Sequence, residues 1–167
     1  MVSAITEPDD VMARASAALA LVCDPELPFL SIGDLGILRG IAERGGLLEV
    51  SISPTYSGCP ANDVIALDIV TALARAGIGN ARIVIERNPP WTTDWITAAG
   101  REKLAENGIA PPPRAAGKRA LFDSETVACP QCGSLETEVV SAFGSTACKA
   151  HHRCLRCREP FEAFKCI

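Results

Sequence analysis

Alternating apolar and polar positions predict three strands in the first half of the chain. Residues 47–53 alternate with the two-residue period of a half-buried strand. Residues 37–43 form a similar segment, and the Arg-Gly-Gly turn at 44–46 between the two segments favours a β-hairpin. The alternation returns at residues 81–87, where we predict a third strand that the proline pair at 89–90 ends.

Apolar residues three or four positions apart predict helices before and after these strands. The first helix covers about residues 6–21, with Thr6 as the residue that caps its start. The second covers about residues 60–76 and ends at Gly77. A short and a longer helix are predicted within residues 91–107. The apolar side of the second helix is predicted to comprise Val64, Ile65, Leu67, Ile69, Val70 and Leu73.

Two Cys-x-x-Cys pairs near the C-terminus give the strongest chemical signal in the sequence. They are Cys129 with Cys132 and Cys154 with Cys157, and 21 residues separate them. Four thiolates can surround one ion, and zinc suits a closed tetrahedron of four sulfurs. A four-cysteine iron–sulfur site uses the same ligands and stays open as an alternative, although the symmetric pairs favour a zinc ribbon. Their regular spacing disfavours unligated cysteines or disulfides.

The distribution of charge divides the chain into two parts of different character. Residues 1–113 carry 8 Lys or Arg and 14 Asp or Glu, a net charge of −6, whereas residues 114–167 carry 8 and 6, a net charge of +2. Six of the eight cysteines lie in the second part, and a run of three prolines separates the parts. We therefore predict an α+β domain at residues 1–108, a linker at 109–122 and a zinc ribbon at 123–167.

These elements predict an α+β fold class for the chain. A small three-stranded mixed sheet packs with helices, and a β-rich zinc ribbon follows it. Apolar residues make up 48% of the sequence and charged residues 22%, which is typical of a globular protein.

Several classes of location and partner are not expected. The first ten residues are acidic and have no basic region before an apolar run, unlike a signal peptide. The longest apolar run, residues 15–23, is too short to span a bilayer. We therefore expect a cytoplasmic protein without a membrane partner, whose cysteines serve as metal ligands or reactive thiols rather than disulfides. The basic residues of the second part form no dense cluster with aromatics, so we expect no nucleic-acid partner.

Cys59 is a second candidate site, because it lies at the predicted start of the second helix. We expect Cys59 to cap this helix, with Pro60 as the first helical residue. The helix dipole there favours a thiolate, the form of cysteine that binds metals. Thr55 can supply a hydroxyl contact, and Asp24 and Glu26 can approach if their loop packs beside the helix start. In the structural alternative, Cys59 only caps the helix, Asp24 caps a turn and Glu26 is solvated.

Two cysteines of the tail lie outside the two Cys-x-x-Cys pairs. Cys148 precedes His151 and His152 closely, and Cys166 is the penultimate residue, so these residues can form an additional metal or redox site. Four thiolates already complete a tetrahedron, however. We therefore favour a structural interpretation in which Cys148 fills the small core of the ribbon and both histidines are exposed.

Motifs of the first part resemble the small α+β domain of iron–sulfur assembly factors of the SufT-like family. They are Asp-Pro-Glu at 24–26, I-G-D-L-G-I at 32–37 and T-Y-S-G-C-P at 55–60, just before a helix. The resemblance implies a reactive cysteine that takes part in metal or cluster delivery. That residue is Cys59 here, with the two carboxylates of the Asp-Pro-Glu segment.

The tail is similar to the PaaD family of accessory subunits of phenylacetyl-CoA epoxidase. The motifs are C-P-Q-C-G-S at 129–134, F-G-S-T-A-C-K-A at 143–150 and E-P-F-E-A-F-K-C-I at 159–167, and the similarity extends over nearly the whole chain. It implies a non-catalytic subunit of a di-iron monooxygenase in aerobic phenylacetate degradation. The implied clients are the oxygenase subunit and the iron–sulfur reductase, which this chain helps to mature.

The residue patterns and the two resemblances together give three hypotheses for the function. The leading hypothesis is a maturation subunit with structural zinc that also handles iron or an iron–sulfur cluster transiently. The second is a protein–protein adaptor with structural zinc alone. The third is a thiol enzyme that uses Cys59, which has no resolving thiol or base nearby in the sequence. Association into a homodimer is left open.

Overall fold

The computed structural model describes residues 8–56, 58–113 and 127–165. The chain divides into two compact units, Met1–Pro90 and Trp91–Ile167. The first contains α1 (Pro8–Leu19), β1 (Leu38–Arg44), β2 (Leu47–Ile52), α2 (Ala61–Arg75) and β3 (Ala81–Ile85). The second contains a 3-10 helix (Thr93–Trp95), α3 (Ala98–Glu106), β4 (Ile109–Ala110), β5 (Thr137–Ser141), β6 (Lys149–Cys154) and β7 (Pro160–Phe164). The predicted cap Thr6 and most of the predicted linker lie outside the described residues.

The sheet of the N-terminal unit has the strand order β1-β2-β3. β1 pairs with β2 as an antiparallel hairpin, and β2 pairs with β3 in parallel. The crossover from β2 to β3 contains α2, as a parallel pair requires. Leu48, Val50 and Ile52 are buried, as their alternation predicts. The α+β fold class and its mixed three-stranded sheet are confirmed.

Only part of the predicted apolar side of α2 is buried. Ile65, Ile69 and Leu73 recur every four residues and lie in the core of the unit. Val64, Leu67 and Val70 are exposed instead, which corrects the prediction. The reason is geometric, because residues three apart drift around the helix and the two sets cannot share one face.

The C-terminal unit has a four-stranded sheet with the order β4-β7-β6-β5. β4 pairs with β7 in parallel, and the other neighbours are antiparallel. The Trp91 ring lies 6.3 Å from the ring of Phe164. The Arg101 guanidinium is buried and donates to the carbonyl of Thr93 at 2.6 Å and to that of Pro112. The segment that precedes the ribbon therefore belongs to the same compact unit.

This packing places the division of the chain earlier than the sequence analysis does. The predicted boundary follows residue 108, but the compact units divide after Pro90. The predicted linker also begins inside β4, where Ile109 and Ala110 pair with Glu162 and Ala163 of β7. A two-residue strand carries no periodicity, and its partner lies about fifty positions away in the chain, so local pattern does not reveal it.

A buried ion pair fixes the loop between β5 and β6. Lys149 Nζ lies 2.7 Å from Glu162 Oε2, and the lysine side chain is only 6% exposed. The Ser145 backbone N–H and hydroxyl donate to the same carboxylate at 2.5 and 3.1 Å. Burial raises the pKa of Glu162, but the hydrogen bonds from Lys149 and Ser145 outweigh it and lower the pKa on balance. Gly144 passes beside this carboxylate, where a Cβ would lie 2.6 Å from Glu162 Oε1.

Replacing Gly144 with alanine should destabilise the C-terminal unit. The new methyl group would also lie 3.1 Å from Lys149 Cβ, so the ion pair and its loop would have to shift. We expect a loss of about 1–3 kcal/mol in the free energy of unfolding, measured by chemical denaturation. Gly40→Ala is the control, because no atom lies within 4 Å of its added Cβ. Equal stability of Gly144→Ala and wild type would contradict the prediction.

Candidate metal centre and the Cys59 turn

The two Cys-x-x-Cys pairs form two turns with equivalent backbone geometry. The Cys129 N–H donates to the carbonyl of Ser134 at 2.9 Å, and the Cys154 N–H donates to that of Glu159 at 3.0 Å. In each turn the residue after the second cysteine has a left-handed backbone: Gly133 with φ 70° and Arg158 with φ 66°. These two turns, which we call the first and second knuckle, precede β5 and β7 and direct their thiols toward one point.

The four thiols have the spacing of ligands around a single ion. The Sγ atoms of Cys129, Cys132, Cys154 and Cys157 all lie within 4.8 Å of one another. Cys129 and Cys157 are 3.7 Å apart, and Cys132 and Cys154 are 3.6 Å apart. Sulfurs at the corners of a tetrahedron with zinc–sulfur bonds of about 2.3 Å are separated by about 3.8 Å. A disulfide needs a much shorter distance, and a four-iron cluster holds each cysteine on a different iron. The donor set therefore fits one zinc ion.

At neutral pH the four thiols do not all ionise without a cation. The Cys157 N–H donates to Cys154 Sγ at 3.4 Å and lowers the pKa of that thiol to about 6. The Glu159 N–H also lowers the pKa of Cys157, but partial desolvation of the sulfur and the three neighbouring thiols outweigh it and raise that pKa to about 12. The first proton thus leaves easily and a later one does not, because negative charges accumulate at short range. A divalent cation relieves this repulsion.

The metal centre lies at the edge of the core of the C-terminal unit. Cys129 and Cys154 are buried, whereas Cys132 and Cys157 are exposed. The two buried cysteines belong to one core cluster, whose members are Ala110, Val127, Cys129, Cys154, Phe161 and Ala163. An ion bound here would connect this small core to both knuckles. Such a closed site is structural, since no ligand position stays open for substrate.

The remaining residues of the tail do not join the four thiols. Cys148 is buried, and its Sγ lies 3.1 Å from Thr146 Oγ1. His151 is exposed, but His152 is buried and stacks on Phe161 with ring centroids 5.5 Å apart. The expectation that both histidines are exposed is therefore wrong for His152, because its strand turns it toward the core. Burial lowers the pKa of His152. Cys166 lies outside the described residues.

The structure places Cys59 one residue earlier than a helix cap. Pro60, with φ −64° and ψ −22°, is the N-cap of α2, and no side chain caps this end. The Cys59 N–H donates to the Tyr56 carbonyl at 3.3 Å, and the Cys59 carbonyl accepts from the Asn62 N–H at 3.2 Å. The predicted cap role is thus corrected: Pro60 already has helical torsions, so the half-buried thiol stands in the turn that leads into the helix.

The loop residues predicted beside Cys59 have different environments. Asp24 is buried, and its Oδ1 accepts from the N–H groups of Glu26 at 2.8 Å and Leu27 at 3.0 Å. It therefore caps its own turn, as in the structural alternative. Glu26 and Thr55 are half-buried. Among the described residues, Cys59, Asp24 and Glu26 do not form a group with ligand atoms within 4.8 Å, unlike the four tail thiols.

A groove between α1 and α2 was not predicted from the sequence. It has a volume of about 800 Å³ and is lined mainly by small and apolar side chains, with Cys23 at its wall. Asp68 and Arg75 of α2 also line it. The sequence signal for this groove was the surplus of apolar residues on α2 over those that one buried face needs.

No helix among the described residues is long and apolar enough to cross a membrane.

Comparison with known proteins finds two family matches in different parts of the chain. Residues 113–165 match the PaaD zinc β-ribbon domain, and residues 13–84 match the iron–sulfur cluster assembly protein family. The chain is 46% identical over 153 residues to a putative 1,2-phenylacetyl-CoA epoxidase subunit of Escherichia coli (strain K12), and the match covers 90% of each chain. The chain belongs to the PaaD family.

Two further relatives concern the N-terminal part. The chain is 34% identical over 79 residues to the Fe-S protein maturation auxiliary factor YitW of Bacillus subtilis (strain 168), covering 46% of this chain and 76% of that protein. The crystal structure of a DUF59 domain from Bacillus anthracis has a TM-score of 0.52 and 23% identity, covering 57% of this chain and 92% of that chain. The second likeness concerns the fold alone.

Replacing Cys154 with serine should release the metal and unfold the ribbon. Binding of the ion supplies folding free energy that the small core lacks. We expect loss of the single zinc per chain and of amide protection in β5–β7, measured by metal analysis and hydrogen exchange. The N-terminal unit should keep its protection.

Cys148→Ser is the matched control, because Cys148 is also buried but stands outside the four-sulfur group. It should retain one zinc. The prediction fails if Cys154→Ser keeps both its zinc and the protection of the three strands.

Proposed function

We propose that this chain is an accessory subunit that supports maturation of a multicomponent phenylacetyl-CoA epoxidase in aerobic phenylacetate degradation. The observation that carries the proposal is the union, in one chain, of an iron–sulfur assembly domain and a PaaD zinc ribbon. The relative in Escherichia coli is by name a putative subunit of that epoxidase, and the relative in Bacillus subtilis is by name an Fe-S protein maturation auxiliary factor. The clients would be the di-iron oxygenase subunit and the iron–sulfur reductase.

The ribbon and the N-terminal domain have different tasks in this proposal. Cys129, Cys132, Cys154 and Cys157 would hold a structural zinc, since four sulfurs complete its coordination. Metal that is to be handed on needs a more open site. Cys59 meets this requirement, because its half-buried thiol accepts or donates no hydrogen bond with the described residues. It would bind iron or a cluster as cargo.

The surroundings of Cys59 favour transfer over storage. One carboxylate oxygen of Asp24 already accepts hydrogen bonds from the N–H groups of Glu26 and Leu27, so its role is to stabilise its own loop. Glu26 is the carboxylate of the loop that would assist at the metal. Because no three ligand atoms converge there among the described residues, the cargo would complete its coordination with ligands from the client. An incomplete site releases metal more readily than a closed one.

A protein–protein adaptor with structural zinc alone is the second candidate. It draws support from large apolar side chains exposed on the ribbon, which could contact another subunit. These are Leu135, Val139, Val140, Phe143 and Leu155. The edge position of β5 adds unpaired backbone groups to this surface.

Cys59→Ser should leave the chain folded with its zinc but reduce the metal content of the epoxidase. In cells that express all subunits, we expect iron in the oxygenase or reductase, and epoxidase activity, to fall about tenfold. Iron and acid-labile sulfide per subunit and turnover of the assembled enzyme are the measurements. Cys23→Ser is the control, because Cys23 is another half-buried thiol of the same unit.

Normal iron content and activity in Cys59→Ser would refute the maturation role. If Phe143→Asp then abolished assembly with the epoxidase subunits, the adaptor function would replace it. Metal and sulfide analysis of the anaerobically purified wild type gives an independent comparison. Iron or sulfide that disappears in Cys59→Ser would support cargo binding at the turn.

A further inference from the structure

The groove between α1 and α2 continues onto an exposed apolar stripe of α2. Small residues line its floor, among them Ala17 and Ala18 of α1 and Ala72 of α2. Leu21, which follows α1, lines its rim and is 81% exposed. Leu67 lies one turn before Thr71, which lines the groove, and is 65% exposed. Groove and stripe therefore form one surface, which we call the α1–α2 face.

The apolar stripe is not needed to attach α2 to its own sheet. Ile65, Ile69 and Leu73 already supply a buried face for this helix. Val64, Leu67 and Thr71 follow the spacing of neighbours on another side of the helix, where Val64 is 44% and Leu67 65% exposed. Large apolar side chains grouped at the surface are typical of a contact with another protein.

Two charged residues of α2 on this face are complementary to each other. The other two charged residues that line the groove, Arg14 and Asp24, already bond backbone groups of their own unit. Asp68 and Arg75 are exposed, line the same groove and make no ion pair or hydrogen bond within the described parts of the chain. They stand three residues before and four residues after Thr71, so both belong to the side of α2 that Thr71 occupies. If two copies of α2 cross antiparallel at Thr71, Asp68 of each copy meets Arg75 of the other. A two-fold interface requires this reciprocity, whereas a different partner would not.

We infer that the α1–α2 face binds a second copy of this chain. Two α2 helices pack antiparallel about a two-fold axis near Thr71, with Leu67 and Leu21 covered on both copies and two reciprocal Asp68–Arg75 pairs. The small side chains of Thr71 and Ala72 let the helices approach closely at the axis. This interface goes beyond the proposed function, which concerns Cys59 and the ribbon.

Sedimentation equilibrium of the full-length, zinc-loaded chain tests the inference. From micromolar to millimolar concentration, wild type should fit a monomer–dimer equilibrium. Leu67→Asp should weaken dimerisation by about tenfold or more, because it buries a charge in the contact. Ile85→Asp is the control, since Ile85 is an apolar side chain of β3 that is 49% exposed outside this face. It should leave the dissociation constant unchanged.

A charge exchange identifies the geometry of the contact. Asp68→Arg and Arg75→Asp should each weaken dimerisation about tenfold, because each places like charges opposite one another. The double variant should return the dissociation constant to within about threefold of wild type.

A wild-type chain that stays monomeric at millimolar concentration would overturn the inference, even if Leu67→Asp then impaired binding to epoxidase subunits. A double variant that fails to recover would overturn the antiparallel arrangement at Thr71. Circular dichroism of each variant checks that the exposed substitutions leave the N-terminal unit folded.

Discussion

The C-terminal unit depends on four cysteine sulfurs that lie within 4.8 Å of one another and that repel one another as thiolates. Two of them are part of its small core, so the core cannot form without bringing the other two near as well. A cation between the four sulfurs would balance the charge of the thiolates at a position that the strands define. Trp91 and β4 extend the core on the other side, through the ring of Phe164 and the pairing with β7. We therefore expect the ribbon to depend on its ion, and residues far before it in the chain complete its core.

The N-terminal unit has the opposite character, because backbone groups rather than a metal organise its candidate site. Asp24 satisfies the N–H groups of its loop, and the Cys59 turn is closed by backbone hydrogen bonds. Among the described residues, the chain thus contains one group of four converging thiols and one candidate position, Cys59, without a complete set of ligands. These two arrangements suit permanent and transient binding respectively, and this contrast is what the proposed maturation role requires.

The sequence predicted the features that depend on local pattern. The spacing within each Cys-x-x-Cys pair is typical of a metal-binding turn, so both knuckles could be predicted. The alternation in residues 47–53 is typical of a half-buried strand, so β2 could be predicted too. Contacts between distant residues could not. The pairing of Ile109 with Glu162 gives no periodic signal, and the burial of His152 depends on Phe161 of the next strand. The position of Cys59 relative to the cap depends on the backbone torsions of Pro60. Because these torsions are already helical, the cap is Pro60, one residue later than predicted.

The two knuckles are equivalent in hydrogen bonding but unequal in backbone cost. Gly133 adopts its left-handed torsions without a Cβ clash, whereas Arg158 bears about 1–2 kcal/mol of strain for a similar φ. While Cys157 is bound to the ion, the adjacent Arg158 is held in these torsions, so the strain remains. Each knuckle contains one exposed ligand, Cys132 or Cys157, so the backbone strain is what distinguishes them, and the second knuckle holds the ion less strongly. We therefore expect exchange of the ion with chelators or other proteins to begin with the release of Cys157. A structural zinc site of this kind would lose its ligands in a defined order.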